Sequence, residues 1–360
     1  MIVPTVGLPG RFAEWCEALV FELAAAASPQ PQIFPANSLD DIGREYLARN
    51  CANAVAVARE PRASLRQSLL AGNMPFLLLL QPPDACAAAL VKDHDYELTR
   101  AVRFVANCCA AVMPLARAPN ALVLRADGRR SGEDIARAVA GHFHLGLEDE
   151  AIRTAAAAPH VAALAARFHT PLEPPAETVA SGGTQDNPGA QSRALLELLA
   201  ARPAANMADD ALEPFWRGFA DGELREVVWH RQLFQWGDRP SAQLPEIIDV
   251  TGPARCLAFG PYIQLPAGSW SCSLMLGCSE DAAGLRMNVE AFTDVPLNRV
   301  AFELGEPGLF EIEFSFVLAN ADVPVQIRLF SADAAFEGKV ALAQARMTPL
   351  KARRLPVSAA

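Results

Sequence analysis

A glycine-rich turn near the start of the sequence is the first place where residue types and spacing could support chemistry. Residues 7–12 read GLPGRF and connect a short apolar strand to a helical run. Gly7 and Gly10 would let backbone N–H groups approach a phosphate, a helix N-terminus would add its dipole, and Arg11 is the cation of this turn. The Lys-Ser/Thr pair of a Walker loop is missing, so charge neutralisation and metal ligation have no obvious source. A tight turn into a helix is the alternative interpretation.

A second set of residues, in the last third of the sequence, has side chains suited to sugar binding. Residues 260–270 read GPYIQLPAGSW, so two large aromatic rings flank a turn sequence. Aromatic rings stack on the C–H faces of sugars, and carboxylates and arginines pair with sugar hydroxyls. The candidate sugar-binding residues are Tyr262, Trp270, Arg286, Glu290 and Arg328. For Trp270, packing in the core after the turn is the alternative.

The cysteines and serines do not form a metal-binding or catalytic pattern. The eight cysteines include no C-x-x-C, and structural zinc usually needs two closely spaced ligand pairs. Buried, reduced thiols that act as small hydrophobic residues are therefore expected. No G-x-S-x-G elbow surrounds a serine, so no hydrolase nucleophile is predicted. We expect no metal site, no cofactor and no catalytic residue.

Composition limits the class of protein before any element is placed. The chain has 360 residues, 51% of them hydrophobic and 20% charged, which fits a folded protein and excludes wholesale disorder. Its length favours two or three domains. The formal net charge of −10 argues against a nucleic-acid partner, because phosphate binding needs a basic face. Association into a homo-oligomer stays open.

The sequence gives no reason to expect a targeting signal or a membrane span. The first ten residues lack the basic segment and the long apolar run of a secretory signal. The most hydrophobic short run, residues 75–80, is far below the roughly 20 residues that a membrane helix needs. A cytoplasmic protein is expected, in agreement with reduced cysteines.

Strand and helix patterns alternate through the first half of the chain and must position the glycine turn. The predicted strands are residues 2–7, 54–58, 76–80 and 121–125, and the predicted helices are residues 12–27, 39–50, 62–71, 85–91, 96–115 and 131–143. The run FLLLL over 76–80 is apolar throughout, which is typical of a central parallel strand covered on both faces. The alternation predicts a parallel α/β sheet, and the loops at the carboxyl ends of its strands are where such sheets bind ligands.

Apolar and polar residues alternate with period two in the last third of the chain. Residues 310–316 read FEIEFSF, residues 287–291 read MNVEA and residues 325–329 read VQIRL. Half-buried antiparallel strands have this pattern, and turn sequences recur between these runs. The pattern predicts an all-β sandwich of jelly-roll type.

Composition shifts divide the sequence into domains. The predicted α/β domain covers 1–169, and the jelly-roll sandwich covers 222–350. Residues 170–191 are rich in Pro, Gly, Ser and Thr and are predicted to form a linker. Two short helical runs over 192–221 form a predicted connector, and residues 351–360 form a tail.

The first half of the chain, residues 1–150, resembles the sulfotransferase-like branch of P-loop proteins. In that family a first strand–loop–helix cradles a 5′-phosphosulfate, and a later hydrophobic strand ends in Arg-x-Pro, followed by a serine that helps to hold the 3′-phosphate. The matching stretch here is FLLLLQPP over 76–83, and the later segments LVLRAD over 122–127 and FHLGL over 143–147 are also similar. The resemblance implies a P-loop fold for the sheet and a nucleotide site at the glycine turn.

The residues that would bind this family's nucleotide are replaced in the sequence. Gln81 stands where the phosphate-binding arginine would be, and Ala89 stands where the serine would be. Loss of a charge-assisted phosphate contact removes about 1.5–3 kcal/mol per bond. A degenerate scaffold that no longer binds the donor is therefore expected. An alternative nucleotide motif, Arg-Glu-Pro over 59–61 with Ser68, has its serine one residue out of register.

The run G-P-Y-x-x-L-P-x-G-x-W over 260–270 resembles β-sandwich modules that accompany bacterial glycosyltransferases and polysaccharide-modifying proteins. Together the two resemblances imply a non-catalytic protein that serves bacterial cell-surface polysaccharide biosynthesis. It would bind a glycan or a biosynthetic partner enzyme. Two alternatives stay open. One is an active sulfotransferase-like transferase that uses Arg11 and Arg59 in place of the missing contacts, and the other is a structural interaction module.

Overall fold

Two compact units divide the chain. The structure is a computed structural model, and it describes residues 2–28, 30–50, 53–72, 74–172, 194–197, 199 and 206–350. The α/β unit consists of Met1–Ala176 and Phe215–Glu223, and the β unit consists of Glu177–Pro214 and Leu224–Ala360. Most of the predicted linker over 170–191, part of the predicted connector over 192–221 and the whole predicted tail over 351–360 lie outside the described residues.

A parallel sheet with helices on both faces forms the α/β unit. Its strands are β1 Ile2–Gly7, β2 Gln32–Pro35, β3 Ala54–Ala58, β4 Phe76–Leu80 and β5 Ala121–Arg125. Its helices are α1 Arg11–Ala27, α2 Leu39–Arg49, α3 Ala63–Leu70, α4 Pro83–His94, α5 Leu98–Val112, α6 Gly132–His142, α7 Asp149–Ala156 and α8 Pro159–His169. The strand order is β2-β3-β1-β4-β5, and each neighbouring pair is parallel. The prediction of a parallel α/β sheet is confirmed.

Local sequence explains most of these elements. The Ser38 hydroxyl accepts a hydrogen bond from the Asp41 N–H, and the Asp41 carboxylate accepts one from the Ser38 N–H, so a capping box begins α2. Every residue of β4 is buried, as its apolar run predicts. The sequence patterns do not predict β2, α7 or α8. Strand β2 has four residues and ends in proline, which leaves it too short to show a period.

The carboxyl ends of β1 and β4 meet at the switch point of the sheet. After β1 the chain crosses to β2 at one edge, and after β4 it continues to β5 at the other edge. Helix α1 packs with α6, α7 and α8 around one apolar cluster, which includes Leu77 and Leu79 of β4. In open α/β sheets, ligands bind in the crevice outside this switch point. The glycine turn and Gln81 follow these two strands, so the sequence places both at that crevice.

One helical run, Leu98–Arg117, has the length and composition of a membrane-crossing helix. It comprises α5 and a 3-10 turn over Met113–Arg117. Most of the run is buried within the α/β unit, where α5 packs against α4 and β1. The core helix of a soluble protein has the same properties, and we therefore describe α5 as a core helix.

Two antiparallel sheets form a β-sandwich in the second unit. Its strands are β6 Val227–His230, β7 Gln235–Trp236, β8 Arg239–Gln243, β9 Ile248–Asp249, β10 Cys256–Ile263, β11 Gly268–Cys278, β12 Arg286–Phe292, β13 Pro296–Glu303, β14 Gly308–Leu318, β15 Val325–Ser331 and β16 Lys339–Pro349. One sheet has the order β13-β12-β15-β10-β7-β8, and the other has the order β14-β11-β16-β6 with β9 also paired to β16. Helix α9, Met207–Asp221, precedes these strands.

The alternating sequences lie with their apolar phase in the sandwich core, as predicted. Val325, Ile327 and Leu329 of β15 are buried, and so are the core-phase residues Met287, Val289 and Ala291 of β12. In β14, Phe314 and Phe316 are buried while the glutamates between the apolar residues are exposed. The side chains of the other phase of β12 and β15 therefore point to the outer face of the first sheet.

Candidate functional site

Side chains of the chain itself fill the glycine turn at the end of β1. The Gln81 amide, 4% exposed, accepts a hydrogen bond from the Phe12 N–H at 3.0 Å and donates one to the Pro9 carbonyl at 3.3 Å. A Cβ at Gly10 would collide with the Gln81 amide nitrogen, and a Cβ at Gly7 would lie 2.5 Å from a backbone oxygen of β4. An anion would use the first N–H groups of the helix at this place. Gln81 occupies that position, so the glycines serve close packing.

Arg11, the candidate phosphate-binding cation, is engaged in an internal ion pair. Its Nε and one terminal nitrogen donate to the Asp93 carboxylate at 2.8 and 3.0 Å, and the other terminal nitrogen donates to the carbonyls of Arg167 and Thr170. The hydrogen bond to Asp93 raises the pKa of Arg11 and, from the other side, lowers the pKa of Asp93 to about 2. A second cation, Arg167, also contacts Asp93 at 2.9 Å. The expected role of Arg11 is corrected: its donors are used inside the protein.

The alternative nucleotide motif is engaged in a similar way. Arg59, which follows β3, forms an ion pair with Glu17 of α1 at 2.5 Å. Burial raises the pKa of Glu17, and the charge of Arg59 opposes that rise. Ala89 of α4 is buried at 1% exposure, so a ligand at that position would have to displace the helix. Arg59 is thus paired with Glu17 inside the protein, although one of its terminal nitrogens is buried without a hydrogen-bond partner.

One line of side chains crosses the outer face of the first sheet of the β unit. In the strand registers, Phe259 lies opposite Arg328, Arg328 lies opposite Glu290, and Glu290 lies opposite Arg299. Gln235 lies opposite Phe259 on the other side and is paired in turn with Gln243. We call these residues, Gln243, Gln235, Phe259, Arg328, Glu290 and Arg299, the polar row. Neighbouring strands are ~4.8 Å apart, so the row spans roughly 24 Å.

Arg328 stands at the centre of the polar row and is held from three sides. Its Nε and one terminal nitrogen donate to the Gln326 side-chain oxygen at 3.2 Å each. Its other terminal nitrogen lies 3.7 Å from the Glu290 carboxylate, and the guanidinium lies 3.3 Å from the ring centroid of Phe292. Glu290 and Gln326 are both 7% exposed, so these polar groups are paired inside the sheet surface as buried polar groups must be. The arginine is therefore fixed in orientation.

Aromatic rings flank the row. Phe259 and Tyr262 contact each other edge to face with ring centroids 6.2 Å apart, and both are half-buried. Tyr262 has a φ of 68°, the left-handed conformation that a non-glycine residue rarely adopts. Phe330 lies under the Arg299 guanidinium at 5.2 Å. Phe259 thus lies opposite the fixed donors of Arg328 in the register, with the Tyr262 ring beside it.

The structure brings together some of the predicted sugar-binding residues and separates others. Glu290 and Arg328 are neighbours in the row, and Tyr262 adjoins it through Phe259. Arg286 lies in the same phase of β12 but four residues from Glu290, and its guanidinium binds Asp333 at 2.6 and 2.9 Å. Tyr262 keeps its predicted place beside this surface.

Trp270 is not available to a sugar, which corrects the prediction for this residue. It belongs to β11 in the other sheet, it is 2% exposed, and its indole N–H donates to the Pro266 carbonyl at 2.9 Å. The Pro-Ala-Gly turn before it brings that carbonyl within reach. The ring is therefore core packing, as the alternative interpretation has it.

Sequence reasoning missed several residues of this surface. They are Phe259, Phe292, Arg299, Gln326 and Phe330. A signal for two of them is present in the sequence: β12 and β15 alternate regularly, yet each carries a phenylalanine in its polar phase, at Phe292 and Phe330. An aromatic residue on the solvent-facing phase of a strand indicates either a covering layer or a ligand surface.

The groups of the polar row are suited to binding. Glu290 is paired with an arginine, and burial raises the pKa of the neighbouring Cys256 thiol to about 11, so that thiol is protonated at neutral pH. Within the described residues no group of three or more His, Cys, Asp or Glu side chains is placed to hold a metal ion. Fixed donors and half-buried aromatic rings suit a polar ring that carries hydroxyls.

Comparisons with known proteins give similarity to solved structures only. No protein-family profile and no curated protein matches the sequence. Among solved structures, "BiXyn10A CBM1 APO" is 19% identical with a TM-score of 0.20, and the match covers 25% of this chain and 58% of that one. A CBM36-1 domain of a xylanase from the hindgut metagenome of Trinervitermes trinervoides is 11% identical with a TM-score of 0.25, over 36% of this chain and 100% of that one. TmCBM61 in complex with β-1,4-galactotriose is 12% identical with a TM-score of 0.24, over 41% of this chain and 100% of that one.

Proposed function

We propose that the β unit binds a glycan along the polar row and that the protein acts by binding and not by catalysis. The observation that carries the proposal is the continuous register of Phe259, Arg328, Glu290 and Arg299 across four strands. A polymer laid across the strands would meet a new side chain every ~4.8 Å. Such a row suits a ligand that is long, polar and repetitive, which describes a polysaccharide.

The balance of rings and donors supports a sugar over other polar ligands. Phe259 and Tyr262 offer half-buried rings for the C–H face of a sugar, and the Arg328 fork beside them is already oriented by Gln326. Pre-oriented donors lose little entropy when a ligand binds. A purely apolar partner would make no hydrogen bonds with the polar groups of Glu290 and Arg328.

Binding of a labelled full-length chain to a glycan array tests the proposal. We expect binding to at least one polysaccharide, and we expect the Phe259→Ala variant to weaken it roughly ten-fold, since a stacking ring at the centre of a site carries much of the binding energy. Phe336→Ala is the matched control: it is the same change at a residue that is 99% exposed and outside the row. A blank array would favour a structural interaction module instead.

We further propose, from the sequence resemblance of residues 260–270, that the glycan belongs to bacterial cell-surface polysaccharide production in the cytoplasm and that a biosynthetic enzyme is a partner. The alternative of an active sulfotransferase-like transferase gains no support from the α/β unit. Arg11 is bound to Asp93, Arg59 is bound to Glu17, and Gln81 fills the turn between them. A degenerate donor site remains our proposal for that unit.

A further inference from the structure

We infer that the glycan bound along the polar row is acidic and that Arg299 recognises its sugar carboxylates. This inference rests on the proposed glycan binding and adds the chemical class of the sugar. Its starting point is a difference between the two arginines that flank Glu290 in the register. The charge of one of them is compensated by a carboxylate of the protein, and the charge of the other is not.

The arginine whose charge is compensated is Arg328. Gln326 accepts from two of its nitrogens, Glu290 lies at 3.7 Å from a third, and Phe292 covers its face. Its charge is therefore compensated by Glu290, which is itself 7% exposed. Glu290 acts as a positioning residue for Arg328, and this pair adds no net charge to the row.

Arg299 carries the uncompensated charge. It is exposed on β13, and its guanidinium lies over the Phe330 ring at 5.2 Å. In the part of the chain that the structure describes, no carboxylate lies within 4.0 Å of it, although Glu290 stands opposite in the register. The side chain of Arg299 is thus exposed beside an aromatic ring, which attracts the cation through its face.

The charge of the surroundings makes this cation selective. The chain as a whole has a net charge of −10, so a polyanion gains favourable electrostatic energy mainly at local positive groups such as Arg299. On the same phase of β12, Arg286 is neutralised by Asp333 at 2.6 Å. One carboxylate of a uronic-acid polymer would pair with the Arg299 fork in a bidentate contact, while hydroxyls of the neighbouring sugar accept from the remaining N–H groups of Arg328.

A paired array tests the inference with the full chain. Oligomers of galacturonate, glucuronate and mannuronate are each printed beside the same oligomer with its carboxyl groups reduced to alcohols. We expect at least one acidic oligomer to bind about 10- to 100-fold more tightly than its reduced partner, the range of a charge-assisted hydrogen bond. The preference for the acidic oligomer should shrink as salt is raised from about 50 mM toward about 1 M, because salt screens exposed charges.

Three variants assign the preference to one side chain. Arg299→Gln should remove most of the preference for the acidic member, and Arg299→Lys should retain part of it, because the charge remains while the fork is lost. Arg346→Gln, the same loss of charge on β16 of the other sheet, should leave the preference unchanged. Thermal unfolding of each variant checks that it is folded.

Each outcome has a separate meaning. If reduced oligomers bind as well as acidic ones, the inference is wrong and the proposed glycan binding stands. If the preference survives in Arg299→Gln, another group recognises the carboxylate and the inference is also wrong. If neither acidic nor neutral oligomers bind, the proposed function itself fails.

Discussion

At the scale of single residues, the α/β unit uses its chemistry-bearing side chains on itself. Gln81 accepts the N–H at the start of α1, and Arg11 is bound by Asp93 at the end of α4. Each of these groups is the hydrogen-bond partner of another buried group. Removing either one leaves its partner unsatisfied, which costs about 1–3 kcal/mol of stability, or more if that partner is charged. The residues that the sequence pattern assigns to a ligand therefore contribute to the stability of the folded protein.

Asp93 gives a pH-dependent prediction at this scale. Its pKa is lowered to about 2 by hydrogen bonds from Arg11 and Arg167, so the native state favours the ionised carboxylate. The stabilisation is complete above the ordinary aspartate pKa, near pH 4, and is lost as pH falls through about 2. We expect Asp93→Asn to lower the free energy of unfolding at pH 6 by about 2 kcal/mol.

Denaturant unfolding of the wild-type protein and of the Asp93→Asn variant, measured from about pH 6 to about pH 2.5, gives the difference in free energy of unfolding. The difference in free energy should narrow as the acid end is reached. Asp127→Asn is the control, because its carboxylate is exposed, accepts the Arg129 backbone N–H at 3.1 Å and lies 3.9 Å from the Arg129 guanidinium. A difference that stays constant with pH would contradict the ion-pair explanation.

At the scale of elements, regular alternation is what made the sandwich strands predictable. Residues 287–291, 310–316 and 325–329 show a clean period of two, and each forms a strand with its apolar phase inward. The short strands β2, β7 and β9 have four, two and two residues, so no period could develop. Only part of the site could be predicted from the sequence. Phe259 lies beside Arg328 because of the register between two strands, and no local sequence pattern encodes that register.

A core residue of β15 tests the assignment of its two phases. Ile327 is 1% exposed and lies in the apolar phase between Gln326 and Arg328. We expect Ile327→Ala to destabilise the β unit by about 2–5 kcal/mol through lost burial and a cavity. Val317 on β14 is 64% exposed, so Val317→Ala should change the free energy of unfolding by no more than about 0.5 kcal/mol. Chemical denaturation measures both, and equal effects would mean that the phases are misassigned.

At the scale of the whole molecule, the charge distribution should discriminate between two kinds of polyanion, nucleic acid and a uronic-acid glycan. The chain carries −10 overall, yet the polar row holds two arginines and one glutamate. A duplex needs many cations along a face to release its counterions, and a single free arginine supplies only one. A uronic-acid chain needs one carboxylate contact plus hydroxyl contacts, which this surface offers.

This difference predicts that nucleic acid does not bind even if acidic glycans do. Fluorescence anisotropy with labelled duplex DNA and single-stranded RNA at physiological ionic strength should show no saturable binding at micromolar protein. Poly-uronate of similar charge density serves as the positive control in the same buffer. Binding of both polymers with equal affinity would indicate unspecific attraction and would count against recognition by the polar row.

The filled turn at β1 has a consequence for how the α/β unit is maintained. A domain whose helix N-terminus awaits a phosphate gains stability from its ligand in proportion to the logarithm of ligand concentration. Gln81 supplies the same hydrogen bond from within the chain, at a fixed and very high effective concentration. Under the proposed degenerate donor site, the stability of the unit does not depend on the supply of such a ligand.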